Sequence, residues 1–327
     1  MVNARPMLLY VVNVDWFFLS HRLPLARAAK RLGFDVFVAA ADTGQSELIR
    51  REGIEFFPLP ISRKGTNPVA EIMTLFSLWR LYWRVRPALV HHVTIKPVLY
   101  GSVISRFLGK TRVVNAISGL GYTLIDQNRA PGLRRLVMAI YRYALSAPRC
   151  VTIFQNPDDY NQFIAGGLVH RKNAVLVRGS GVDCSIFRYM PESEGPPVVM
   201  LPSRMLWDKG VGEFVEACRR VRSTYAGARF VLVGSSDPGN PASVPLEQLE
   251  RWETQGIVEW WGHQENMPQV LAAAAIVVLP SYREGLPKVL LEAGACGRAI
   301  VTTDVPGCRE VVRHGINGLL VPVRDVA

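Results

Sequence analysis

The chain has 327 residues, 49% hydrophobic and 20% charged, with 22 Pro and 27 Gly scattered rather than clustered. That composition excludes a disordered or low-complexity protein and leaves room for two domains of roughly 150 residues each. Five Cys (150, 184, 218, 296, 308) are odd in number and widely spaced, with no C-x-x-C and no His at zinc-ligand spacing, so neither a disulfide framework nor a structural metal is expected. A reducing cytoplasm is the expected compartment. The net charge of +11 is uneven: residues 1–190 hold 25 Lys+Arg against 11 Asp+Glu (+14), and 191–327 hold 13 against 16 (−3).

The opening run "MLLYVVNV" is broken by Asp15 and lacks a small-residue cleavage site, which makes it a buried first strand rather than a signal peptide. Further apolar runs bounded by turn residues predict strands at 34–40, 54–58, 88–93, 111–116 and 150–155, then 198–202, 229–233, 257–261, 276–279, 299–302 and 318–321. Helical periodicity falls between them, for example at 20–32, 68–85, 131–146, 210–225, 264–274 and 286–295. This alternation of strand and helix predicts parallel α/β sheets, one Rossmann-like lobe per half. "RYMPESEGPPVVM" (188–200) has the composition of a surface linker, which sets the lobes at 1–190 and 191–327 with the junction near 190–196. The longest apolar run, 270–280, is roughly half the length that spans a bilayer.

Familiar motifs are absent. "GLGYTL" from Gly119 and "GSGVDC" from Gly179 both lack the third glycine of a dinucleotide fingerprint. "GKT" at 109–111 has Ile104 where a phosphate loop needs glycine, and it leads into a strand, so it reads as a surface turn. There is no G-x-S-x-G, no H-E-x-x-H and no D-x-D.

What remains is charge at strand ends. Glu284 follows strand 276–279 and precedes a helix expected near Gly285 or Leu286. Glu292 lies about two turns further on, on the order of 12 Å along the axis. Carboxylates so spaced cannot share one proton, but they can hold two ends of an extended polar ligand. Alone, the pair would read as a solvated helix residue and a dipole-favoured charge. Arg204 and Lys209 lie in a loop after strand 198–202 with a helix starting near Gly210. A guanidinium fork, a point charge and free backbone N–H groups at that place suit a diphosphate.

With "SRMLWDKG", "FVLVG" and "WWGHQENMPQVLAAAAIVVLPSYREGLPKVLLEAGACGRAIVTTDVPGCREVVRHGINGLLV" in order, nearly all of 198–322 resembles the nucleotide-sugar lobe of glycosyltransferase family 4, retaining enzymes of GT-B fold whose two lobes face an interdomain cleft. The resemblance implies that Arg204 and Lys209 bind the donor diphosphate and stabilise charge on the leaving nucleotide. It implies that Glu284 contacts the donor sugar, Glu292 the ribose, and the turn with His263 and Gln264 the base. Gly285 and Leu286 complete the donor contacts, and "VPGCRE" with Glu310 lines the cleft. No metal and no cofactor beyond a UDP-sugar co-substrate are implied. Relatives continue past "NGLLV" with closing helices, so a second lobe ending at Ala327 reads as truncated.

On the acceptor side the candidates are His21 and Arg22 in "NVDWFFLSHRLPLARAAKRLG", His91 and His92 at the end of the fourth strand, and Lys96. One histidine of the adjacent pair should face the cleft, because neighbours on a strand alternate faces. Ser118 stands where many relatives carry a histidine. "GLG", "LWDKG" and "VGSSDPGNPAS" resemble the branch of N-acetylgalactosaminyltransferases that act on polyprenyl-diphosphate-linked sugars. In "EIMTLFSLWRLYWRVRP" (71–87), Ile72, Leu75, Phe76, Trp79 and Trp83 recur at helical spacing beside Arg80, Arg84 and Arg86. That stripe reads either as the core face of a sheet-covering helix or as a face lying in a lipid interface. The +14 charge of the lobe favours the inner face of the cytoplasmic membrane, and no groove-reading motif supports nucleic acid.

The expectation is a cytoplasmic, peripherally membrane-associated, retaining glycosyltransferase that moves a hexose or N-acetylhexosamine from a UDP-sugar to a lipid-linked saccharide. The competing readings are a UDP-sugar 2-epimerase-like enzyme on the same fold and a non-catalytic glycan- or lipid-binding relative.

Overall fold

A computed structural model describes residues 5–62, 67–117, 131–147 and 149–327. The chain divides into two compact units, Met1–Ser180 and Gly181–Ala327. The junction falls before the compositional linker because 181–190 pack with the second unit. Phe187 enters its core, and Arg298 donates to the Met190 carbonyl.

The first unit is one parallel sheet of β1 (Met7–Val14), β2 (Asp35–Ala41), β3 (Glu55–Pro58), β4 (Leu89–Val93), β5 (Arg112–Ile117), β6 (Cys150–Phe154) and β7 (Ala174–Leu176), in spatial order β3-β2-β1-β4-β5-β6-β7. Strand β1 is a continuous apolar run because both its faces are covered: Leu8, Tyr10 and Val12 enter one core cluster, Leu9 and Val11 the other. Its helices are α1 (Asp15–His21), α2 (Leu23–Arg31), α3 (Ser46–Arg51), α4 (Pro68–Val85), α5 (Ile95–Ser105), α6 (Pro131–Leu145) and α7 (Pro157–Ala165). The helix expected over 20–32 is two helices that break at Arg22, φ −126°. Pro24, in the first turn of α2, has no N–H to continue a ladder from α1.

The second unit is a parallel sheet of β8 (Val198–Pro202), β9 (Arg229–Val233), β10 (Glu259–Trp260), β11 (Ile276–Leu279), β12 (Ala299–Thr303) and β13 (Leu319–Val321), ordered β10-β9-β8-β11-β12-β13. Its helices are α8 (Val211–Thr224), α9 (Leu246–Thr254), α10 (Met267–Ala272) and α11 (Lys288–Ala295). In each sheet the order reverses beside the first strand, between β1 and β4 and between β8 and β11. Loops at the carboxyl ends of those strand pairs are where open α/β sheets place ligands.

Helix α4 carries two apolar faces. Thr74, Leu78, Leu81, Tyr82 and Val85 are buried against the sheet, whereas Ile72, Met73, Phe76, Trp79 and Trp83 are 42–64% exposed. Of the stripe singled out in the sequence, Leu75 alone packs against the core. The aromatic face is surplus to folding.

Beneath α4, His92 is closed to solvent and fully engaged. Its Nδ1–H donates to Asn115 Oδ1 (2.8 Å), the Tyr82 hydroxyl donates to Nε2 (2.5 Å), and Asn115 Nδ2 donates to Ser102 Oγ (2.8 Å). Burial pushes the His92 pKa down to about 4 against the pull of Asn115. Burial, with the charges of Arg22 and His92, pushes His91 to about 3. The folded lobe therefore holds both rings neutral, while the unfolded chain takes up protons below about 6.5. Stability is full above pH 7 and falls as pH drops from 6.5 towards 4, by roughly 1–2 kcal/mol per histidine at pH 5. Calorimetric melting of the chain at pH 7 and pH 5 checks this; an unchanged transition would show that the two rings take up protons without cost to the fold.

Candidate active site

The second lobe gathers charge at the carboxyl ends of its central strands. After β8, Lys209 forms an ion pair with Glu284 Oε1 from the loop after β11, and Ser281 Oγ donates to the same oxygen at 2.7 Å. The pair is mostly shielded, with Lys209 20% and Glu284 12% exposed. Arg204 donates through Nη1 to Asp237 Oδ2 (2.9 Å) in the loop after β9. Glu292, which sequence spacing set two turns into its helix, lies one turn in, because Pro287 holds extended geometry (φ −74°, ψ 111°) and α11 begins at Lys288. There Lys288 Nζ donates to Glu292 Oε1 at 2.5 Å. Gly285 is buried and Leu286 half-buried between the two acids. His263 is exposed, and Gln264 Nε2 donates to the Trp261 carbonyl (2.7 Å) at the end of β10.

Several bonds fasten the β8 and β11 loops to each other. Tyr282 N donates to the Asp208 carbonyl (2.9 Å), and its hydroxyl donates to Glu213 Oε1 (2.5 Å) in the first turn of α8. Gly210, φ +73°, lies so close to the Pro280 carbonyl that a Cβ has no room. Gly307, φ +83°, brings "VPGC" against the carbonyls of Glu284 and Gly285. Neither α8 nor α11 has a side-chain cap, so no N-cap side chain occupies their first-turn N–H groups. By contrast Asn67 caps α4 and Asn156 caps α7. The loops after β8 and β11 thus hold Arg204, Lys209 and Lys288, each paired with a carboxylate, beside two helix starts without side-chain caps.

In the first lobe the sequence candidates separate. His92 is locked in the core network and cannot touch a ligand. Lys96 is neutralised by Glu71, which also accepts from the Tyr100 hydroxyl (2.7 Å). His21 stacks on Phe17 (4.1 Å between centroids) and bonds Ser20. Arg22 and His91 are buried at the carboxyl end of the sheet, with His91 stacked on Tyr10 (5.2 Å). Ser118 lies outside the described residues. Among the described residues no group of three His, Cys, Asp or Glu converges as a metal site.

Residues 196–327 match the profile of the family described as glycosyl transferases group 1, and residues 7–156 that of glycosyl transferase 4-like proteins. The chain belongs to the family 4 glycosyltransferases. It is 29% identical to N,N'-diacetylbacillosaminyl-diphospho-undecaprenol alpha-1,3-N-acetylgalactosaminyltransferase of Campylobacter jejuni, over 94% of this chain and 85% of that one. It is 20% identical to UDP-Gal:alpha-D-GlcNAc-diphosphoundecaprenol alpha-1,3-galactosyltransferase of Escherichia coli, over 90% and 77%. HepE of Anabaena, solved with UDP-glucose, superposes with a TM-score of 0.74 at 17% identity, covering 98% of this chain and 86% of that one. The two parallel-sheet lobes are those of the GT-B fold.

In this glycosyltransferase, three members of the second-lobe cluster escaped sequence reasoning. Asp237 sits in an aperiodic loop whose pairing with Arg204 no local pattern encodes. Ser281 is silent until Glu284 is seen folding back on it. Lys288 was passed over although a signal existed, since it stands four residues before Glu292 on one helix face.

Proposed function

We propose that this glycosyltransferase takes a hexose or N-acetylhexosamine from a UDP-sugar and transfers it, with retention of anomeric configuration, to a saccharide carried on a polyprenyl diphosphate. The observation that carries the reading is the Lys209–Glu284 pair between the open helix starts of α8 and α11. When a diphosphate arrives, Lys209 and Arg204 exchange carboxylate partners for phosphate oxygens. Glu284 is then free to accept from a hydroxyl of the donor sugar, and Glu292 from the ribose. Cations fixed where charge grows on the leaving UDP lower the barrier without a metal. The binding of UDP and UDP-glucose by HepE, and the undecaprenyl-diphosphate substrates named for the two relatives, support the same assignment.

Incubation of the chain with a panel of UDP-sugars and a prenyl-diphosphate N-acetylhexosamine, read by mass spectrometry and anomeric NMR, tests this. One UDP-sugar is expected to give an α-linked product at an undiminished rate in EDTA. UDP-sugar consumed equally fast without acceptor would favour epimerase-like chemistry instead.

The membrane side of the proposal rests on α4. Phe76, Trp79 and Trp83 form an exposed aromatic row, with ring centroids 5.8 and 6.1 Å apart, flanked by exposed Arg80, Arg84 and Arg86. The row runs into an open cavity of about 890 Å³ at the amino ends of β1, β4 and β5, lined in part by Trp83, Arg86, Phe107, Lys110 and Arg112. Among the described residues no helix is long and apolar enough to cross a membrane. A basic aromatic face of this kind binds an anionic lipid interface. The Trp79→Ser/Trp83→Ser double variant is expected to lose at least tenfold in binding to vesicles containing phosphatidylglycerol while melting as the parent does; equal vesicle binding would remove α4 from the interface.

A further inference from the structure

Glu292 is 7% exposed, yet a single side chain serves its carboxylate. Lys288 Nζ donates to Oε1 (2.5 Å), whereas Oε2 takes no hydrogen bond among the described residues and is not sealed from solvent. A nearly buried carboxylate with one oxygen held and the other open is shaped to accept from a donor outside the chain.

The pair does little for its helix. Lys288 is the first residue of α11, where the macrodipole favours an acid over a cation. Lys ahead of Glu is also the weaker order of an i, i+4 pair. What holds the lysine there is a strap, residues 183–190. It begins in a turn in which Ile186 N and Phe187 N both donate to the Asp183 carbonyl (3.0 and 2.8 Å). Phe187 then enters the core, and its ring faces the Lys288 ammonium, with 5.6 Å from Nζ to the centroid. Past the other end of α11, a Cβ added to Gly297 would lie 2.5 Å from the Tyr189 ring, and the buried Arg298 guanidinium donates to the Met190 carbonyl. The strap thus grips α11 at both ends, and Lys288 is fixed between an aromatic face and a carboxylate before any ligand binds.

We propose that Lys288 is a positioning residue for the nucleotide's ribose: it holds Glu292 by Oε1 and presents Oε2 to the 2′-hydroxyl, so that the donor site selects ribonucleotides over their 2′-deoxy counterparts. The inference rests on the UDP-sugar donor and the Glu292–ribose contact proposed above, and adds the residue that sets the geometry of that contact. The 2′-hydroxyl donates to Oε2 while the ammonium keeps the carboxylate from rotating. A 2′-deoxyribose leaves Oε2 without a donor in a mostly buried place, and that loss is the source of the discrimination.

Titration calorimetry of the intact chain with UDP and with 2′-deoxy-UDP tests this. The parent is expected to bind UDP about 30-fold tighter than the deoxy analogue. Lys288→Met keeps an apolar stem against Phe187 and removes the ammonium. In it UDP affinity is expected to fall about tenfold and 2′-deoxy-UDP affinity to change less than about twofold, which brings the ratio to about three. A lysine that merely propped α11 would weaken both nucleotides alike and leave the ratio unmoved. Should Lys288→Met not fold, Lys288→Gln, which still offers Glu292 an N–H, is read in its place, with the ratio expected to fall about threefold. The inference is overturned if the parent binds the two nucleotides equally or if the variant keeps the parent's ratio. A chain that binds neither nucleotide overturns the proposed donor, and this inference with it.

Discussion

Lys209→Ala is expected to lower kcat/KM for sugar transfer by about 10³-fold, close to 4 kcal/mol of transition-state stabilisation. Lys209 is the cation held nearest Glu284 and the open start of α8. Its removal takes away the charge that offsets the leaving diphosphate. It also strands Glu284, 12% exposed, with the Ser281 hydroxyl still donating to it, so the single variant loses stability as well. The double variant Lys209→Ala/Glu284→Ala separates the two effects. It should regain much of the melting temperature and none of the activity, because the stranded charge is gone while the diphosphate still lacks its cation. Steady-state kinetics and melting curves on both variants decide the matter; recovery of turnover in the double variant would mean that Lys209 serves only to neutralise Glu284.

Gly210→Ala is the second large effect. A methyl group there must adopt φ +73° and also displace the Pro280 carbonyl, a backbone atom that cannot rotate aside. Left-handed geometry alone costs about 1–2 kcal/mol, and the clash raises the expected loss to about 3–5 kcal/mol. Gly315→Ala is the control, since Gly315 has the same φ of +73° with nothing within 4 Å of an added Cβ. Chemical denaturation should therefore show a small loss for Gly315→Ala and a several-fold larger one for Gly210→Ala. Equal losses would mean that the β8 and β11 loops are not in contact at Gly210.

These loops also show how much a sequence discloses. Strands 198–202, 229–233 and 276–279 were legible to the residue because a strand buried on both faces is a near-continuous apolar run. Helix 68–85 was equally legible, bracketed by Asn67 with Pro68 at one end and Arg86 with Pro87 at the other. Strand β7 was missed, since three half-exposed residues at a sheet edge carry too little pattern. The break at Arg22 was missed because the apolar period runs straight through it, and only the missing N–H of Pro24 interrupts the helix.

Site residues divide along the same line. Arg204, Lys209, Glu284 and Glu292 were legible as charges placed beside strand ends, whereas the partners they choose depend on loops that no local rule fixes. The aromatic stripe of α4 was visible, but which face the sheet would take was not, because both faces are apolar. His92 and His91 were indistinguishable in sequence. The side of the strand on which the Tyr82 hydroxyl and Asn115 wait made one a core residue and left the other with an open nitrogen.

The central claim is that one sugar nucleotide binds at the carboxyl ends of β8 and β11. A crystal structure of the chain grown with UDP tests it most directly. The account predicts the diphosphate on the first-turn N–H groups of α8 or α11, with Lys209 Nζ and the Arg204 guanidinium moved from their carboxylates to its oxygens and Glu292 on the ribose. UDP bound elsewhere, or Lys209 still paired with Glu284 beside an occupied site, would contradict it.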